Sequence, residues 1–214
     1  MKIGAVPVED IEKICIKENS RILEIGADSE RNFMTKYGDL NKMLFNGDYK
    51  YDLVTIELAG DRRPSVVADG RYLPFKDSSF DAVIVMSVLE HCYKNFDVIL
   101  LESRRVLSED GIVIGFVPFF LGYHENDYWR FTYEGVEKLV ENFSKFKIIP
   151  VGGPISTSFQ IVVDLIRPNI VRKIFAYILS PLLTSMDRLL WKIFKKNDKD
   201  TSFISRGYLF ICEK

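Results

Sequence analysis

The sequence is short of the residues that characterise secreted, zinc-binding and nucleic-acid-binding proteins. Its three cysteines, Cys15, Cys92 and Cys212, are far apart and form no Cys-x-x-Cys pair. This argues against a disulfide framework and a cysteine zinc site, and it predicts reduced thiols in the cytoplasm. A formal net charge of −1 leaves no basic excess, so nucleic acid is not an expected partner. Acidic residues within 9–12 occupy the place where a signal peptide needs an apolar core.

Apolar runs and helical patterns alternate along the chain, whose 214 residues suffice for a single domain over residues 1–214. Such alternation predicts an α/β protein with a mostly parallel sheet. Helices are predicted over 1–20, Asn95–Leu107 and Glu134–Asn142. Strands are predicted over Arg21–Ile25, Asp52–Leu58, Ser65–Ala68, Phe80–Met86, Ile112–Val117, Lys145–Val151 and Phe203–Cys212.

The most informative stretch runs from Ala68 to His91. A loop rich in turn-forming residues leads into the apolar strand Phe80–Met86, and the polar residues Ser87, Glu90 and His91 follow it. Open α/β sheets bind their ligands at the carboxyl ends of the strands. We therefore expect these polar residues to border a ligand crevice.

This stretch resembles the class I S-adenosylmethionine-dependent methyltransferases. The shared features are Asp69, Leu-Pro-Phe at 73–75, Ser-Phe-Asp at 79–81 and Leu-Glu-His at 89–91. The resemblance implies a methyltransferase that uses S-adenosyl-L-methionine as its cofactor. It also implies a Rossmann-like, mostly parallel seven-stranded sheet with helices on both faces, an antiparallel hairpin at one edge, and a helical insertion before the last strand.

The resemblance also implies a set of cofactor-binding residues. Glu57 ends a strand where a carboxylate accepts hydrogen bonds from ribose hydroxyls, and Asp69 is placed to accept from the adenine amino group. Each has a simpler alternative, as a solvated strand-end carboxylate and as a turn residue respectively. The loop Gly26-Ala27-Asp28 departs from the usual Gly-x-Gly, and Asp28 adds negative charge near the methionine carboxylate. The predicted set is Glu24, Gly26, Ala27, Asp28, Glu57, Asp69, Gly70, Leu73 and Ser87.

A second motif follows the fifth predicted strand. A subset of these methyltransferases carries a histidine and then Asp-Tyr-x-Arg-Phe-Thr, and this chain has His124 followed by Asp127–Thr132. The predicted catalytic residues are His124, His91 and Asp127, and the predicted substrate-binding residues are Tyr128, Trp129 and Arg130. Two alternatives remain open: a structural Asp127–Arg130 pair under an aromatic lid, and histidines that serve only in packing. Glu90 beside His91 does not by itself predict a metal site, and no metal is expected.

An insertion over 155–199 separates the last two predicted strands. Its second part is amphipathic, and residues 167–199 carry eight basic and two acidic side chains, a net charge of +6. Its longest uncharged run, Ile174–Met186, is too short for a bilayer span of about 20 residues. A cleft lid, a homodimer contact and a peripheral contact with the inner face of the membrane all fit this pattern.

Two functions remain after a nicotinamide-dependent reductase is rejected. Tyr72 and Lys76 have a reductase-like spacing, but Pro74 would break their helix and the Gly-x-Gly-x-x-Gly fingerprint is missing. The favoured function is methyl transfer to a small-molecule or lipid-linked acceptor. The alternative is a binding module with the methyltransferase fold, a degenerate 26–30 loop and no catalysis.

Overall fold

The computed structural model describes residues 16–26, 50–122, 126–164, 179, 181–187, 189–190, 193 and 204–214. Seven strands lie within these residues: β1 (Arg21–Ile25), β2 (Asp52–Glu57), β3 (Val66–Val67), β4 (Phe80–Met86), β5 (Leu107–Pro118), β6 (Lys145–Val151) and β7 (Gly207–Glu213). Helices α1 (Asp97–Val106), α2 (Tyr133–Val140) and α3 (Pro154–Asp164) alternate with the later strands. Short 3₁₀ turns occupy Gly60–Arg62 and Leu89–His91.

The strands form one mixed sheet in the order β3-β2-β1-β4-β5-β7-β6. The first five strands in this order are parallel, whereas β7 runs antiparallel to both β5 and β6. Because β1 to β5 run in one direction, their carboxyl ends meet at a single edge of the sheet, where a crevice forms. The predicted mostly parallel sheet with an antiparallel hairpin is confirmed.

The alternation of side chains places two hydrophobic clusters on opposite faces of the sheet. On β1, Leu23 and Ile25 join one cluster, and Ile22 joins the other. The cluster around Leu23 also contains buried residues of α1 and α2, which therefore cover that face of the sheet. The first fifteen residues of the helix predicted over 1–20 and the chain from residue 27 to residue 49 lie outside the described residues.

Element boundaries differ from the prediction mainly where tertiary contacts set them. Residues 16–20 are not helical; Asn19 has a φ of 61°, and its N–H donates to the carbonyl of Lys50. Residues Glu109–Gly111 are extended and belong to β5, which begins at Leu107 rather than at the predicted Ile112. The last strand begins at Gly207 rather than at residue 203, because its pairing with β5 begins there, opposite Pro118. Shorter shifts of one or two residues affect β2, β3, α1 and α2.

The described part of the insertion is helical, and a buried carboxylate joins its later helical residues to the start of α3. The described residues 181–187, 189–190 and 193 are helical, and the side chain of Asp187 is buried. Its two oxygens accept hydrogen bonds from the N–H groups of Ile155 and Ser156, each at 2.9 Å. Asp187 thus satisfies two donors in the first turn of α3. None of the described helices has the length and hydrophobicity needed to cross a bilayer.

Candidate active site

The carboxyl ends of β1, β2, β3 and β4 bring together most of the predicted cofactor residues. Glu24 lies in β1 and is buried, and Gly26 follows the strand directly. Glu57 is the last residue of β2, and its carbonyl accepts from the N–H of Ala68 beyond β3. Ser87 directly follows β4. One edge of the sheet therefore carries these side chains next to one another.

Gly26 occupies a position that no other residue would fill without strain. Its φ is +79°, and a Cβ built on it would lie 2.5 Å from Cγ2 of Val88. Its N–H donates to the carbonyl of Ile56 at 2.9 Å, which fixes the backbone against β2. Because glycine has no side chain, a cofactor can approach the backbone closely where the chain leaves β1.

Asp69 is held by a neighbour that the sequence analysis did not consider. Both carboxylate oxygens accept from the Arg71 guanidinium, with the Nη2–Oδ2 distance at 2.6 Å, and Oδ1 also accepts from the Arg71 N–H. These hydrogen bonds lower the pKa of Asp69. A carboxylate that stays ionised is a good acceptor for the adenine amino group, and Arg71 fixes its orientation.

Leu73 and Gly70 contribute packing at this edge of the sheet. Leu73 is 5% exposed and lies in the hydrophobic core, and its N–H donates to Glu102 Oε2 at 2.9 Å. A Cβ on Gly70 would lie 2.9 Å from Cγ2 of Ile25, so glycine permits this loop to lie on β1. Both residues shape the floor of the crevice.

A guanidinium beneath the loop over 69–78 holds it against α1. Arg105 donates to the carbonyls of Leu73 and Phe75 and to the carboxylate of Asp77. Its Nε and Nη2 also donate to the two oxygens of Glu102, at 2.7 and 2.8 Å. This network was not predicted from the sequence, because Arg105 contacts residues about 30 positions away in the chain.

On the other side of the crevice, the loop after β4 meets the loop after β5. Nδ1 of His91 lies 3.0 Å from the carbonyl oxygen of Asn126, and the N–H of Tyr128 donates to the carbonyl of Glu90 at 2.8 Å. Glu90, His91 and Asp127 each place one carboxylate oxygen or ring nitrogen within 4.8 Å of the other two. The predicted catalytic residues His91 and Asp127 are therefore neighbours, and Glu90 joins them.

The carboxyl group of Glu90 is strongly perturbed by its burial. Glu90 is 3% exposed, and Oε2 has no hydrogen-bond partner among the described residues. Burial raises the pKa of Glu90 to about 7; the Asp127 charge adds to the rise, while His91 and the Ser87 hydroxyl oppose it. Perturbed titratable groups in a crevice are frequent at functional sites.

The predicted substrate residues form the rim beside this cluster. Arg130 is paired with Asp127, whose side chain is 4% exposed, so the proposed Asp127–Arg130 pair is present. The indole N–H of Trp129 donates to the carbonyl of Cys92 at 2.8 Å, and the ring of Tyr128 contacts that of Tyr93 with centroids 5.4 Å apart. Both Tyr128 and Trp129 remain exposed. The structural Asp127–Arg130 pair is thus compatible with a substrate-binding role for the exposed Tyr128 and Trp129.

Three of the predicted site residues fall outside the described residues: Ala27, Asp28 and His124. Nothing in the structure tests them, and they stay predictions. The roles assigned to the other site residues are likewise predictions, although their positions are now known.

Comparison with known proteins identifies the fold and the domain. A family profile described as "Methyltransferase domain" matches residues 23–115, which include the ends of β1 to β4. The match with this methyltransferase domain spans a little less than half of the chain. The match confirms the family expected from the stretch Ala68–His91, and S-adenosylmethionine as the cofactor of such a domain. The loop that carries Asp127 lies beyond the matched residues.

Curated relatives and solved structures extend this comparison. An uncharacterized protein of Methanocaldococcus jannaschii is 35% identical over 103 residues, which cover 46% of this chain and 37% of that protein. The chain thus spans little more than a third of the length of this relative. It also resembles a putative methyltransferase from an antibiotic biosynthesis pathway of Anabaena variabilis (TM-score 0.54, 15% identity, 100% of both chains).

A SAM-dependent methyltransferase from Archaeoglobus fulgidus is similar to the same degree. The TM-score is 0.54 at 14% identity, and the match covers 92% of this chain and 86% of that chain. At such low identities these structures support the fold of the methyltransferase domain, and the acceptor must be argued from the site itself.

Proposed function

We propose that this chain transfers the methyl group of S-adenosylmethionine to a small acceptor bound between the loops after β4 and β5. The observation that carries this proposal is the meeting of two sets of residues at one sheet edge. Gly26, Glu57 and Asp69 lie at or beyond the ends of β1, β2 and β3, and Glu90 and His91 follow β4.

The cofactor side of the crevice fits S-adenosylmethionine. The bare backbone at Gly26 accommodates close approach, Glu57 offers a carboxylate for ribose hydroxyls, and Asp69 is an ionised acceptor held in place by Arg71. S-adenosylmethionine, when bound, supplies an already activated methyl group on a sulfonium. The protein then needs mainly to orient the acceptor, and to accept a proton if the acceptor is a hydroxyl.

The acceptor side supplies groups for both tasks. His91 and Asp127 lie together, and the exposed His91 ring is the candidate proton acceptor. Tyr93, Tyr128 and Trp129 present exposed rings beside them, and exposed aromatic rings suit contact with an organic acceptor.

Calorimetric titration with S-adenosylhomocysteine tests the cofactor side directly. We expect binding that weakens at least several-fold in Glu57→Ala and in Asp69→Ala, since each change removes hydrogen bonds worth about 1 to 3 kcal/mol. Asp110→Ala serves as the control, because this exposed carboxylate lies near the start of β5, away from the crevice. Wild-type affinity in both site variants would contradict the assignment.

A lipid-linked acceptor is the more specific form of this proposal. Four exposed apolar residues share one side of the insertion at helical spacing: Leu182, Met186, Leu189 and Ile193. Asp187, in the same segment, is turned toward the domain and buried. The segment therefore presents an apolar stripe to solvent, within a sequence whose 167–199 region has a net charge of +6. A basic amphipathic surface suits an anionic membrane, where lipid-linked acceptors are found.

Liposome co-sedimentation separates this form from a lid or a dimer contact. We expect the protein to pellet with anionic vesicles at low salt and to be released at high salt. Lys192, Lys195 and Lys196 changed together to Glu should abolish pelleting. Lys138, Lys145 and Lys147 changed together to Glu are the matched control, because they lie outside the insertion, on α2 and β6, and should leave pelleting unchanged. If the protein does not pellet at all, the apolar stripe serves a lid or a homodimer.

The alternative function is a binding module that has lost catalysis through its atypical loop at 26–30. The calorimetric titration again decides. Submicromolar to micromolar affinity for S-adenosylhomocysteine supports an enzyme, and absent binding in the intact protein supports the alternative. Asp28→Gly should tighten binding if its charge repels the methionine carboxylate.

A further inference from the structure

We infer that Glu90, His91 and Asp127 form a binding site for one divalent metal cation. The three side chains come from two loops, and each places a potential ligand atom within 4.8 Å of the other two. A cation bound by three protein ligands needs donors about 3 Å apart, given metal–ligand distances of about 2.0 to 2.2 Å. Small side-chain rotations therefore suffice to close the cluster around an ion.

The unpartnered oxygen of Glu90 is an independent reason to place a cation here. Glu90 is 3% exposed, and its Oε2 has no hydrogen-bond partner among the described residues. Buried carboxylate oxygens are normally hydrogen-bonded, paired with a charge or bound to a metal. A cation within the cluster would give this oxygen the partner that the described protein groups do not provide.

The other two proposed ligands, His91 and Asp127, are each oriented by a hydrogen bond to a neighbouring residue, as metal ligands commonly are. The carbonyl of Asn126 can only accept, so Nδ1 of His91 donates to it at 3.0 Å and Nε2 keeps its lone pair. Metal-bound histidines commonly donate their other ring N–H to such a carbonyl. The Asp127 carboxylate is oriented by Arg130 in the same way. Both side chains are thus held by neighbours outside the set of three proposed ligands.

The donor set suggests which cations bind. Two carboxylates and one imidazole form a mixed oxygen and nitrogen site with no thiolate, which suits Mn²⁺, Fe²⁺ and Zn²⁺ better than soft cations such as Cu⁺. Cys92, two residues after Glu90, does not join the cluster; its thiol lies 3.7 Å from the Val88 carbonyl. We therefore choose Mn²⁺ as the primary probe, with Zn²⁺ and Mg²⁺ for comparison.

Calorimetry and electron paramagnetic resonance with MnCl₂ test the inference on the intact chain after treatment with a chelator. We expect saturable binding of one Mn²⁺ per chain, weakened at least about tenfold in Glu90→Gln and in His91→Ala. His91 is exposed, so its replacement leaves the core intact. Glu134→Gln, a change of an exposed carboxylate on α2, should bind as the wild type does.

Two outcomes would overturn the inference. One is that the folded wild-type chain shows no saturable binding of any of the three cations. The other is that Mn²⁺ binds equally well to Glu90→Gln, to His91→Ala and to the Glu134→Gln control. Neither outcome depends on S-adenosylmethionine, so failure of the metal site can be distinguished from failure of cofactor binding.

Discussion

Replacing Arg105 by Met tests whether the network beneath the loop over 69–78 holds the cofactor side of the site. Methionine keeps much of the aliphatic length of arginine but removes every donor. The change leaves the Glu102 carboxylate and the carbonyls of Leu73 and Phe75 without their guanidinium partner. The loop that carries Asp69 loses its contacts with the Arg105 guanidinium and keeps the hydrogen bond from the Leu73 N–H to Glu102 on α1.

The expected cost follows from the number and exposure of these contacts. Hydrogen bonds to charged groups contribute about 1.5 to 3 kcal/mol each when buried, but the Arg105 side chain is 32% exposed and water compensates part of the loss. We expect the free energy of unfolding to fall by about 2 to 3 kcal/mol in total. Urea unfolding followed by circular dichroism at pH 7 measures it.

Arg104→Met is the matched control, because Arg104 is the exposed neighbour of Arg105 on the same helix. We expect it to change the free energy of unfolding by less than about 0.5 kcal/mol. An Arg105→Met variant as stable as this control would refute the reasoning. The same variant should bind S-adenosylhomocysteine more weakly, because the Asp69 loop is less well fixed.

The pH dependence gives a second check on the same network. The Arg105 hydrogen bond lowers the pKa of Glu102 below its ordinary value. The folded-state pKa is therefore below the unfolded one, so the stabilisation is present above the unfolded pKa, about 4.3, and is lost as the pH falls through the folded value. We expect the stability difference between wild type and Arg105→Met to shrink on going from pH 6 to pH 3.

Three further changes test other parts of the structure. Gly26→Ala should weaken S-adenosylhomocysteine binding at least tenfold and lower the Tm, because a Cβ would meet Val88 at 2.5 Å in a left-handed conformation; wild-type binding would contradict this. Asp187→Ala should lower the free energy of unfolding by about 1 to 3 kcal/mol in urea titration, because two N–H donors of α3 lose their acceptor. Thr132→Ala should cost about 1 kcal/mol in the same assay as its capping hydrogen bond is lost, and Thr132→Ser should restore most of it.

The sequence by itself determined the elements whose pattern is local. The strands Arg21–Ile25, Phe80–Met86 and Lys145–Val151 begin and end where they were predicted. The first two are compact apolar runs bounded by polar or turn-forming residues. Neighbouring residues therefore indicate both that the strand is buried and where it begins and ends. The helix predicted over Glu134–Asn142 is present as α2, and Thr132 caps it through the Gly135 N–H, a contact between residues only three apart.

Residues that act across the fold were only partly predictable. Glu57 and Asp69 were identified from their places at strand ends, but their hydrogen-bond partners were not. Arg71 had no pattern that predicted its pairing with Asp69. The strand after the insertion was predicted to begin at residue 203, because an apolar run does not reveal where its partner strand starts.

The site as a set of neighbours was decided by the tertiary structure. His91 and Asn126 are 35 positions apart in the chain, yet they are joined at 3.0 Å. This follows from the parallel pairing of β4 with β5, in which Met86 lies opposite Phe116 and the two following loops leave the sheet side by side. The sequence therefore provided Glu90, His91 and Asp127 as separate polar residues, and the pairing of two strands made them a cluster, because contacts between loops depend on strand order rather than on local pattern.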